Sequence, residues 1–152
     1  MTLRRGALQE FYARAVQEPP RRRTRTTYYE EIDGFLELRI PADASVLDLG
    51  CGTGEGLTRL VPVGSKRKAL GIDLSRIQIE EARRRHPHLS FEEGDVEDTE
   101  RMASIAKAQG TFDAIVMVNL VGEVEDLWPL FRNLRAFCHQ GTRIYLVYYN
   151  YL

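Results

Sequence analysis

Residues 46–56 read VLDLGCGTGEG, an apolar strand that runs directly into a turn containing four glycines. In open α/β sheets, ligands bind beyond the carboxyl ends of the strands, and a glycine-rich turn after a first strand is typical of such a site. The dinucleotide-binding fingerprint requires glycine at positions 1, 3 and 6. Every possible frame fails here, because the residues found where the third glycine is required are Glu55, Leu57 and Arg59.

The acidic residues beside this turn indicate a different ligand. Asp48 lies two residues before Gly50, and Glu55 directly follows Gly54. A pyrophosphate seeks bare N–H groups at a helix N-terminus, and carboxylates in that position repel it. The same carboxylates favour a ligand with an ammonium and a sulfonium group, which describes S-adenosylmethionine. The alternative interpretation is a tight strand-to-helix turn that merely requires small residues.

Length and composition predict a globular domain without a metal site. Hydrophobic residues make up 43% and charged residues 28% of the 152 residues, which excludes a disordered chain. The formal net charge of −1 gives no reason to expect nucleic acid, and no apolar stretch suits a signal peptide or membrane span. The two cysteines, Cys51 and Cys138, predict no disulfide framework and a cytoplasmic protein.

Residues 1–44 predict an N-terminal helical segment ahead of a main domain at 45–152. One helix is expected over residues 7–17, because apolar residues recur there at helical spacing. The basic run Arg21–Arg25 is either a solvated linker or a contact for a phosphorylated or sugar-nucleotide acceptor. A second helix, from about Tyr28 to Arg39, is expected to bury Ile32, Phe35 and Leu36.

From residue 45 onwards, strands and helices alternate, which predicts a parallel sheet with right-handed crossovers. Helices are expected near residues 54–61, 75–85, 99–108 and 124–138. Ser75 and Gln78 form a capping box at the second of these, and the apolar stripe of the last ends at Cys138. The predicted strands are Ser45–Leu49, Ala69–Asp73, Leu89–Glu93, Phe112–Val118 and Thr142–Tyr149.

Acidic residues end the second and third predicted strands. Asp73, in GIDLS (71–75), lies 23 residues after Gly50, near the spacing at which an acid binds ribose hydroxyls. Asp95, in EGDVED (93–98), is placed to accept a hydrogen bond from an adenine amino group, with Val96 against the ring. The alternative interpretations are a helix N-cap acid for Asp73 and a solvated acidic turn for Asp95.

Together these motifs resemble those of the class I S-adenosylmethionine-dependent methyltransferases, which have a Rossmann-like fold. The resemblance implies an α/β, doubly wound, mostly parallel sheet with strand order 3-2-1-4-5. Because that family normally adds strands 6 and 7 as a reversed hairpin, a chain that stops at Leu152 is expected to be C-terminally truncated or minimal. The matching segments are VLDLGCGTG (46–54), GIDLS (71–75), EGDVED (93–98) and FDAIVMVNLV (112–121).

The resemblance also implies which residues hold the cofactor. The positions of Asp48 and the glycine loop hold its amino-acid part, and the position of Asp73 binds ribose. Those of Asp95 and Val96 bind adenine. Tyr28, with Tyr29, is expected to cover the cofactor from the N-terminal helix. The expected cofactor-binding residues are Tyr28, Asp48, Gly50, Cys51, Gly52, Gly54, Asp73, Leu74, Asp95, Val96, Asn119 and Leu120.

The sequence identifies no obligatory catalytic residue. Methyl transfer expels a good, neutral leaving group, so the enzyme supplies mainly proximity and alignment. By the resemblance, Asn119 and Leu120 line the methyl-transfer side, and Asn119 is the candidate for positioning the acceptor. Tyr148 and Asn150 are further candidates. The alternative interpretation of the candidates is that they are a turn residue and packed edge aromatics without a role in the reaction. His86 and His88 are predicted to lie at the surface.

The expected function is methyl transfer from S-adenosylmethionine to a small-molecule or glycan-related acceptor. The glycan-related part comes from a looser similarity of residues 28–50 and of YYNYL (148–152) to a bacterial subgroup associated with glycosyltransferases. The alternatives are a cofactor-binding domain or fragment without independent catalysis, and a nucleotide-dependent oxidoreductase, which the glycine spacing and Asp48 disfavour.

The fifth predicted strand also raises an expectation about partners. Its sequence, TRIYLVYYNYL (142–152), is strongly apolar, and an uncovered apolar edge strand invites strand pairing. It is expected to be covered by a second copy of the chain or by the N-terminal helices, or to be disordered at its tip. A homodimer through this edge is therefore considered, and neither nucleic acid nor membrane is an expected partner.

Overall fold

The computed structural model describes residues 25–148 and, nearer the N-terminus, the helical residues 6, 7, 10, 11 and 14. The rest of the predicted helix at 7–17, residues 21–24 of the basic run, and Asn150 lie outside the described residues. No helix in the described part of the chain has the length and hydropathy of a membrane-spanning segment. The longer described helices are α1 (Arg25–Arg39), α2 (Glu55–Leu60), α3 (Arg76–Arg85), α4 (Thr99–Gln109) and α5 (Leu127–Leu134).

The described strands form one parallel sheet in the order β3-β2-β1-β4-β5. This confirms the predicted α/β class and strand order. In the centre, Val46 of β1 is in register with Ala69 of β2 on one side and with Ala114 of β4 on the other. The strands are β1 (Val46–Leu49), β2 (Ala69–Asp73), β3 (Ser90–Glu93), β4 (Phe112–Val118) and β5 (Cys138–Val147).

Hydrophobic cores cover both faces of the sheet. All four residues of β1 are buried, and successive side chains of a strand point to opposite faces. Val46 therefore belongs to the core shared with α1, α2 and α3, whereas Leu47 and Leu49 belong to the core shared with α4 and α5. A sheet covered in this way exposes its ligand-binding groups only where the strands end.

Helix α1 packs into the first of these cores. Ile32 and Leu36 are buried, as predicted, and Ile40 continues the same apolar face. The prediction for Phe35 is wrong, since this side chain is 47% exposed and lies under the Arg39 guanidinium, 4.7 Å from the ring centroid. Adjacent helical positions point about 100° apart, so only one of Phe35 and Leu36 faces the sheet, and Leu36 does.

The last helix is shorter than its pattern predicts. It ends at Leu134, a 3-10 turn follows at Arg135–Phe137, and Cys138 already belongs to β5 rather than to the helix. The pairing of Cys138 with Phe112 and an irregularity before the pairing of Arg143 with Ala114 account for the early strand. Tertiary pairing with β4 therefore overrides the helical periodicity, and Gly141 lies inside the strand rather than after the helix.

A pair of leucines on α1 tests whether this helix folds together with the sheet. Leu36 is 1% exposed and Leu38 is 86% exposed. Leu36→Ala should lower the free energy of unfolding by about 2–5 kcal/mol, because it removes buried apolar contacts and leaves a cavity. Leu38→Ala, the control, should change it by less than about 0.5 kcal/mol. Urea denaturation measures both, and equal effects would contradict the packing of α1.

Candidate functional site

The glycine loop after β1 has a backbone conformation that only glycine adopts easily. Gly50, Gly52 and Gly54 have φ angles of 75°, 54° and 81°. Contacts reinforce the requirement: a Cβ on Gly52 would lie 2.9 Å from Gln78 Oε1, and one on Gly54 only 2.7 Å from the ring of Phe91. The loop thus combines left-handed backbone with close packing, and the N–H groups of Gly50, Cys51, Gly52 and Gly54 are hydrogen-bonded within the protein.

Asp73, at the carboxyl end of β2, holds this loop in place. Its Oδ2 atom accepts a hydrogen bond from Gly52 N at 2.9 Å, and its Oδ1 atom accepts one from Ser75 N at 2.8 Å. Burial raises the pKa of the Asp73 carboxyl, whereas these two hydrogen bonds lower it. Half of the predicted capping box is present, since Ser75 Oγ accepts from Gln78 N at 3.4 Å while the Ser75 N–H is bonded to Asp73.

Asp48 has the most unusual environment of the predicted site residues. It is 7% exposed, and no donor among the described residues forms a hydrogen bond to its carboxylate. Burial raises its pKa to about 8, with further contributions from the Asp73 and Asp33 carboxylates. The same surroundings raise the pKa of the Cys51 thiol well above its usual range. A buried, unbonded carboxylate takes up either a proton or a cationic ligand.

Asp33 on α1 is a site residue that the sequence did not indicate. It is 7% exposed, and its Oδ2 atom accepts a hydrogen bond from the Arg59 guanidinium on α2. Its Oδ1 atom faces Gly56, close to the carboxylate of Asp48. A signal was available, because Asp33 lies three residues before the buried Leu36 and therefore on the apolar face of the helix. A carboxylate on the apolar face of a helix becomes buried on folding and therefore needs a hydrogen-bond or ion-pair partner.

The charge of Glu55, next to the loop, is partly balanced. Its Oε1 atom lies 3.1 Å from Arg85 Nη1 and 3.8 Å from His86 Nε2. The prediction of a surface position for His86 is wrong: its side chain is 12% exposed and contacts the glycine loop near Gly54. Burial lowers the pKa of His86. The charge of Glu55 is therefore shared with Arg85 and is not left free to bind a cation at the loop.

The turn after β3 forms an open depression. Asp95 Oδ1 accepts a hydrogen bond from Glu97 N at 2.9 Å. Val96 is buried in the second core, and its carbonyl accepts a hydrogen bond from Asn133 Nδ2 at 3.0 Å. The Asn133 side chain of α5 thus holds this turn in place. The residues that line the depression are Leu74, Glu93, Gly94, Asp95, Asp98 and Arg101.

Asn119 and Tyr28 meet at the end of β4. Asn119 has left-handed backbone, with φ of 59°, and its N–H donates to Val147 O at 2.8 Å. Tyr28 Oη donates a hydrogen bond to Asn119 Oδ1 at 3.1 Å, so α1 contacts the turn after β4 directly. Leu120 completes the contact with the glycine loop, because its Cδ1 atom lies 3.1 Å from where a Cβ on Gly50 would be.

The structure therefore brings most of the predicted residues to one edge of the sheet. Asp48, the glycine loop and Asp73 are in direct succession, and Tyr28, Asn119 and Leu120 lie on the other side of the loop. Tyr148 lies further out: it is 56% exposed, and its ring is 3.7 Å from where a Cβ on Gly122 would be. This edge offers carboxylates and backbone groups, and the described residues contain no cluster of metal-ligating side chains.

Comparison with known proteins places the chain in a family. A family model described as a methyltransferase domain matches residues 8–152. The chain belongs to this methyltransferase family. Among curated proteins, it is similar to trans-aconitate 2-methyltransferase from Methylobacterium nodulans, with 45% identity over 63 residues. That match covers 40% of this chain and 24% of the relative, so the matched part is about a quarter of the relative's length.

Solved structures of methyltransferases share the fold. An S-adenosylmethionine-dependent methyltransferase from Anabaena variabilis matches 96% of this chain and 62% of its own, with a TM-score of 0.71 and 20% identity. A sugar N-methyltransferase from a Streptoalloteichus species matches 80% of this chain and 47% of its own, with a TM-score of 0.58 and 25% identity. The five-stranded sheet of this chain is thus that of Rossmann-like methyltransferases.

The pKa of Asp48 predicts how the stability of the protein depends on pH. Between about pH 4 and pH 8, the folded protein binds a proton at Asp48 that the unfolded chain does not, so this group makes the free energy of unfolding fall as pH rises. In Asp48→Asn the contribution is absent, and the decline between about pH 5 and about pH 8 should be smaller than in the wild type. Urea denaturation across this range measures the difference.

The matched control for this experiment is Asp43→Asn, since Asp43 is an exposed carboxylate before β1. The free energy of unfolding of this variant should depend on pH in parallel with that of the wild-type protein. Parallel profiles for Asp48→Asn and the wild type would contradict the inferred protonation of Asp48.

Proposed function

We propose that this methyltransferase uses S-adenosylmethionine and transfers its methyl group to a small-molecule or glycan-related acceptor. The observation that carries the proposal is the buried Asp48 carboxylate, which has no hydrogen-bond donor among the described residues and directly precedes a glycine loop. Such a carboxylate favours a cationic group over a phosphate, and the cofactor carries an ammonium and a sulfonium. Membership of the methyltransferase family supports the same cofactor.

The chain's residues fit this cofactor at three places. Asp48 is assigned to the ammonium group, next to the glycine loop Gly50–Gly54. Asp73 is assigned to the ribose: each carboxylate oxygen has two lone pairs, and each accepts one hydrogen bond from the loop or from Ser75, so capacity remains for two hydroxyls. The depression beside Leu74 and Asp95 is assigned to the adenine.

Positioning of the acceptor is assigned to the turn after β4. When bound, the cofactor supplies an electrophilic methyl group, and alignment of the acceptor with it is worth about 7–11 kcal/mol in favourable cases. The hydrogen bond from Tyr28 to Asn119 Oδ1 orients the Asn119 amide and leaves its Nδ2 group to bind the acceptor. The same hydrogen bond also holds α1 against this turn, on the side that is assigned to the cofactor.

The glycan-related acceptor rests on two similarities. The sequence resembles a bacterial subgroup associated with glycosyltransferases, and the fold is similar to that of a sugar N-methyltransferase at 25% identity. The small-molecule class is the wider proposal, and a formal net charge of −1 agrees with it better than a nucleic-acid acceptor does.

A second candidate is a cofactor-binding domain that does not catalyse transfer by itself. The observation that favours it is the exposure of the last strand, where Ile144 and Leu146 of β5 are 47% and 46% exposed. A small-molecule site normally buries most of its ligand, whereas the described residues leave these apolar side chains about half exposed. A domain of this kind would bind the cofactor but release no methyl group.

We further propose a cytoplasmic location. Both cysteines are free thiols, and Cys51 is buried in the glycine loop. Free thiols persist in reducing compartments, whereas oxidising compartments favour disulfides.

Titration calorimetry with S-adenosylmethionine, S-adenosylhomocysteine and NAD tests the cofactor. The expected result is binding of both adenosylated amino acids and no binding of NAD, because the loop carboxylates disfavour a pyrophosphate. Asp73→Ala should weaken binding by about tenfold or more, since hydrogen bonds to a charged group are lost. Binding of NAD alone, or unchanged affinity in Asp73→Ala, would contradict the assignments.

Two controls complete this experiment. Glu80→Ala, which removes only an exposed ion pair with Arg76, should leave the affinity unchanged. Release of labelled methyl groups to a panel of small-molecule and sugar acceptors then separates the two candidate functions. Cofactor binding without transfer to any acceptor would support the binding domain over the enzyme.

We also propose a homodimer through the free edge of β5. Within the described residues β5 pairs only with β4, so its other edge carries unpaired N–H and C=O groups. Ile144 and Leu146 add exposed apolar side chains to this edge, and Tyr145 Oη anchors the opposite face by donating to Arg39 O at 2.9 Å. Two copies related by a twofold axis can pair these edges. The unpaired N–H and C=O groups of each copy then form hydrogen bonds with the other copy, and the exposed apolar side chains become covered.

Sedimentation analysis of the purified protein tests the dimer. The wild-type protein should dimerise with rising concentration, and Leu146→Lys should shift it to monomer because a charge then lies at the paired edge. Arg143→Lys, which keeps the charge on the same strand, is the control. A wild-type monomer at every concentration would refute the homodimer.

A further inference from the structure

Two carboxylates from distant parts of the chain face one small space beside Gly56. Asp33 Oδ1 and Asp48 Oδ2 lie 3.9 and 4.0 Å from the position that a Cβ on Gly56 would occupy. Both aspartates are 7% exposed. Because residue 56 is a glycine, it contributes no side chain to this space.

Among the described residues, few cationic side chains face these two carboxyl groups. Arg59 is hydrogen-bonded to Asp33 through Oδ2, which leaves Asp33 Oδ1 directed toward Gly56. Asp48 has no hydrogen-bond donor among the described residues. With Asp73 next along the edge, three carboxyl groups share one guanidinium among the described residues, and that guanidinium is itself 41% exposed. Desolvation of unpaired charge is costly, so this space favours a cation.

We propose that Asp33 is a further cofactor-binding residue, which together with Asp48 receives the ammonium group of the cofactor in the space beside Gly56. The inference rests on the proposed function and deepens it. It assigns a role to α1 that no sequence motif indicates: the helix carries a carboxylate to the amino-acid end of the cofactor. Arg59 is then a positioning residue, since it holds one oxygen of Asp33 and leaves the other for the ligand.

The inference also predicts a proton linkage. The groups that act on Asp48 are Asp33 from α1, which is paired with Arg59 of α2, and Asp73 from β2, and the Cys51 thiol of the loop has a raised pKa of its own. Below pH of about 8 Asp48 carries a proton that an incoming ammonium displaces. Affinity for the amino-acid part of the cofactor should therefore rise as the pH increases toward about 8.

Two thioethers that differ in the amino-acid part test the proposal. S-adenosylhomocysteine carries the ammonium group, whereas 5′-methylthioadenosine lacks the amino-acid part and retains the adenosine and sulfur. Asp33→Asn should weaken binding of S-adenosylhomocysteine by about 10- to 100-fold, as expected for loss of a charged hydrogen bond, and change that of 5′-methylthioadenosine by less than about twofold. Calorimetry measures both affinities on the full chain.

Glu37→Gln is the matched control, because Glu37 is exposed on the same helix one turn after Asp33. It should leave both affinities unchanged. Gly56→Ala is a second variant that retains both carboxylates: its methyl group meets them at ordinary contact distance, so it fills the space without a clash. It should weaken the binding of S-adenosylhomocysteine but not that of 5′-methylthioadenosine. If Asp33→Asn does not fold, the two affinities of Gly56→Ala test the proposal instead.

The outcomes are distinguishable. Selective weakening of S-adenosylhomocysteine supports the role of Asp33. Equal weakening of both ligands, or no change in either variant, overturns it, because Asp33 would then act only on the structure. If the wild-type protein binds neither ligand, the proposed function itself fails. If the wild-type protein binds 5′-methylthioadenosine and S-adenosylhomocysteine equally well, cofactor binding stands and the ammonium site does not.

Discussion

The Asp73 carboxylate accepts hydrogen bonds from Gly52 N and Ser75 N, and this interaction organises the end of the sheet where the strands stop. It links the glycine loop after β1 to the start of α3, so these two connecting segments are held in a fixed arrangement. Because a carboxylate has no donors of its own, it can hold two loops only by accepting from their backbone. The left-handed glycines of the loop are the condition for presenting those N–H groups.

Burial of further carboxylates around this anchor gives the edge its chemistry. Asp33 Oδ1 and Asp48 Oδ2 lie 3.9 and 4.0 Å from the position of a Cβ on Gly56, and among the described residues Arg59 offers a compensating charge to Asp33. In the free protein a proton at Asp48 relieves the electrostatic cost, which is why its pKa rises to about 8. The ionised form of Asp48 therefore destabilises the fold, and a cationic ligand at this residue would offset that cost.

Helix α1 belongs to the site as well as to the core. Its apolar face, with Ile32 and Leu36, packs against the sheet, and this packing places Tyr28 beside Asn119 and Asp33 beside Asp48. The same helix thus contacts the turn after β4 through one residue and the region beside Gly56 through another. Ordinary hydrophobic packing therefore joins α1 to the carboxyl ends of the strands.

The sequence by itself determined the alternation of strands and helices, the strand order through its resemblance, and the glycine loop with Asp48 and Asp73. These features are local: apolar periodicity and the spacing of glycines and acids act over a few residues. Only the tertiary structure decided that Asp33 joins the site, that Phe35 faces solvent, that His86 contacts the loop and that β5 begins at Cys138. Each of these depends on which distant segment lies alongside, because burial, charge compensation and strand pairing are properties of neighbours in space.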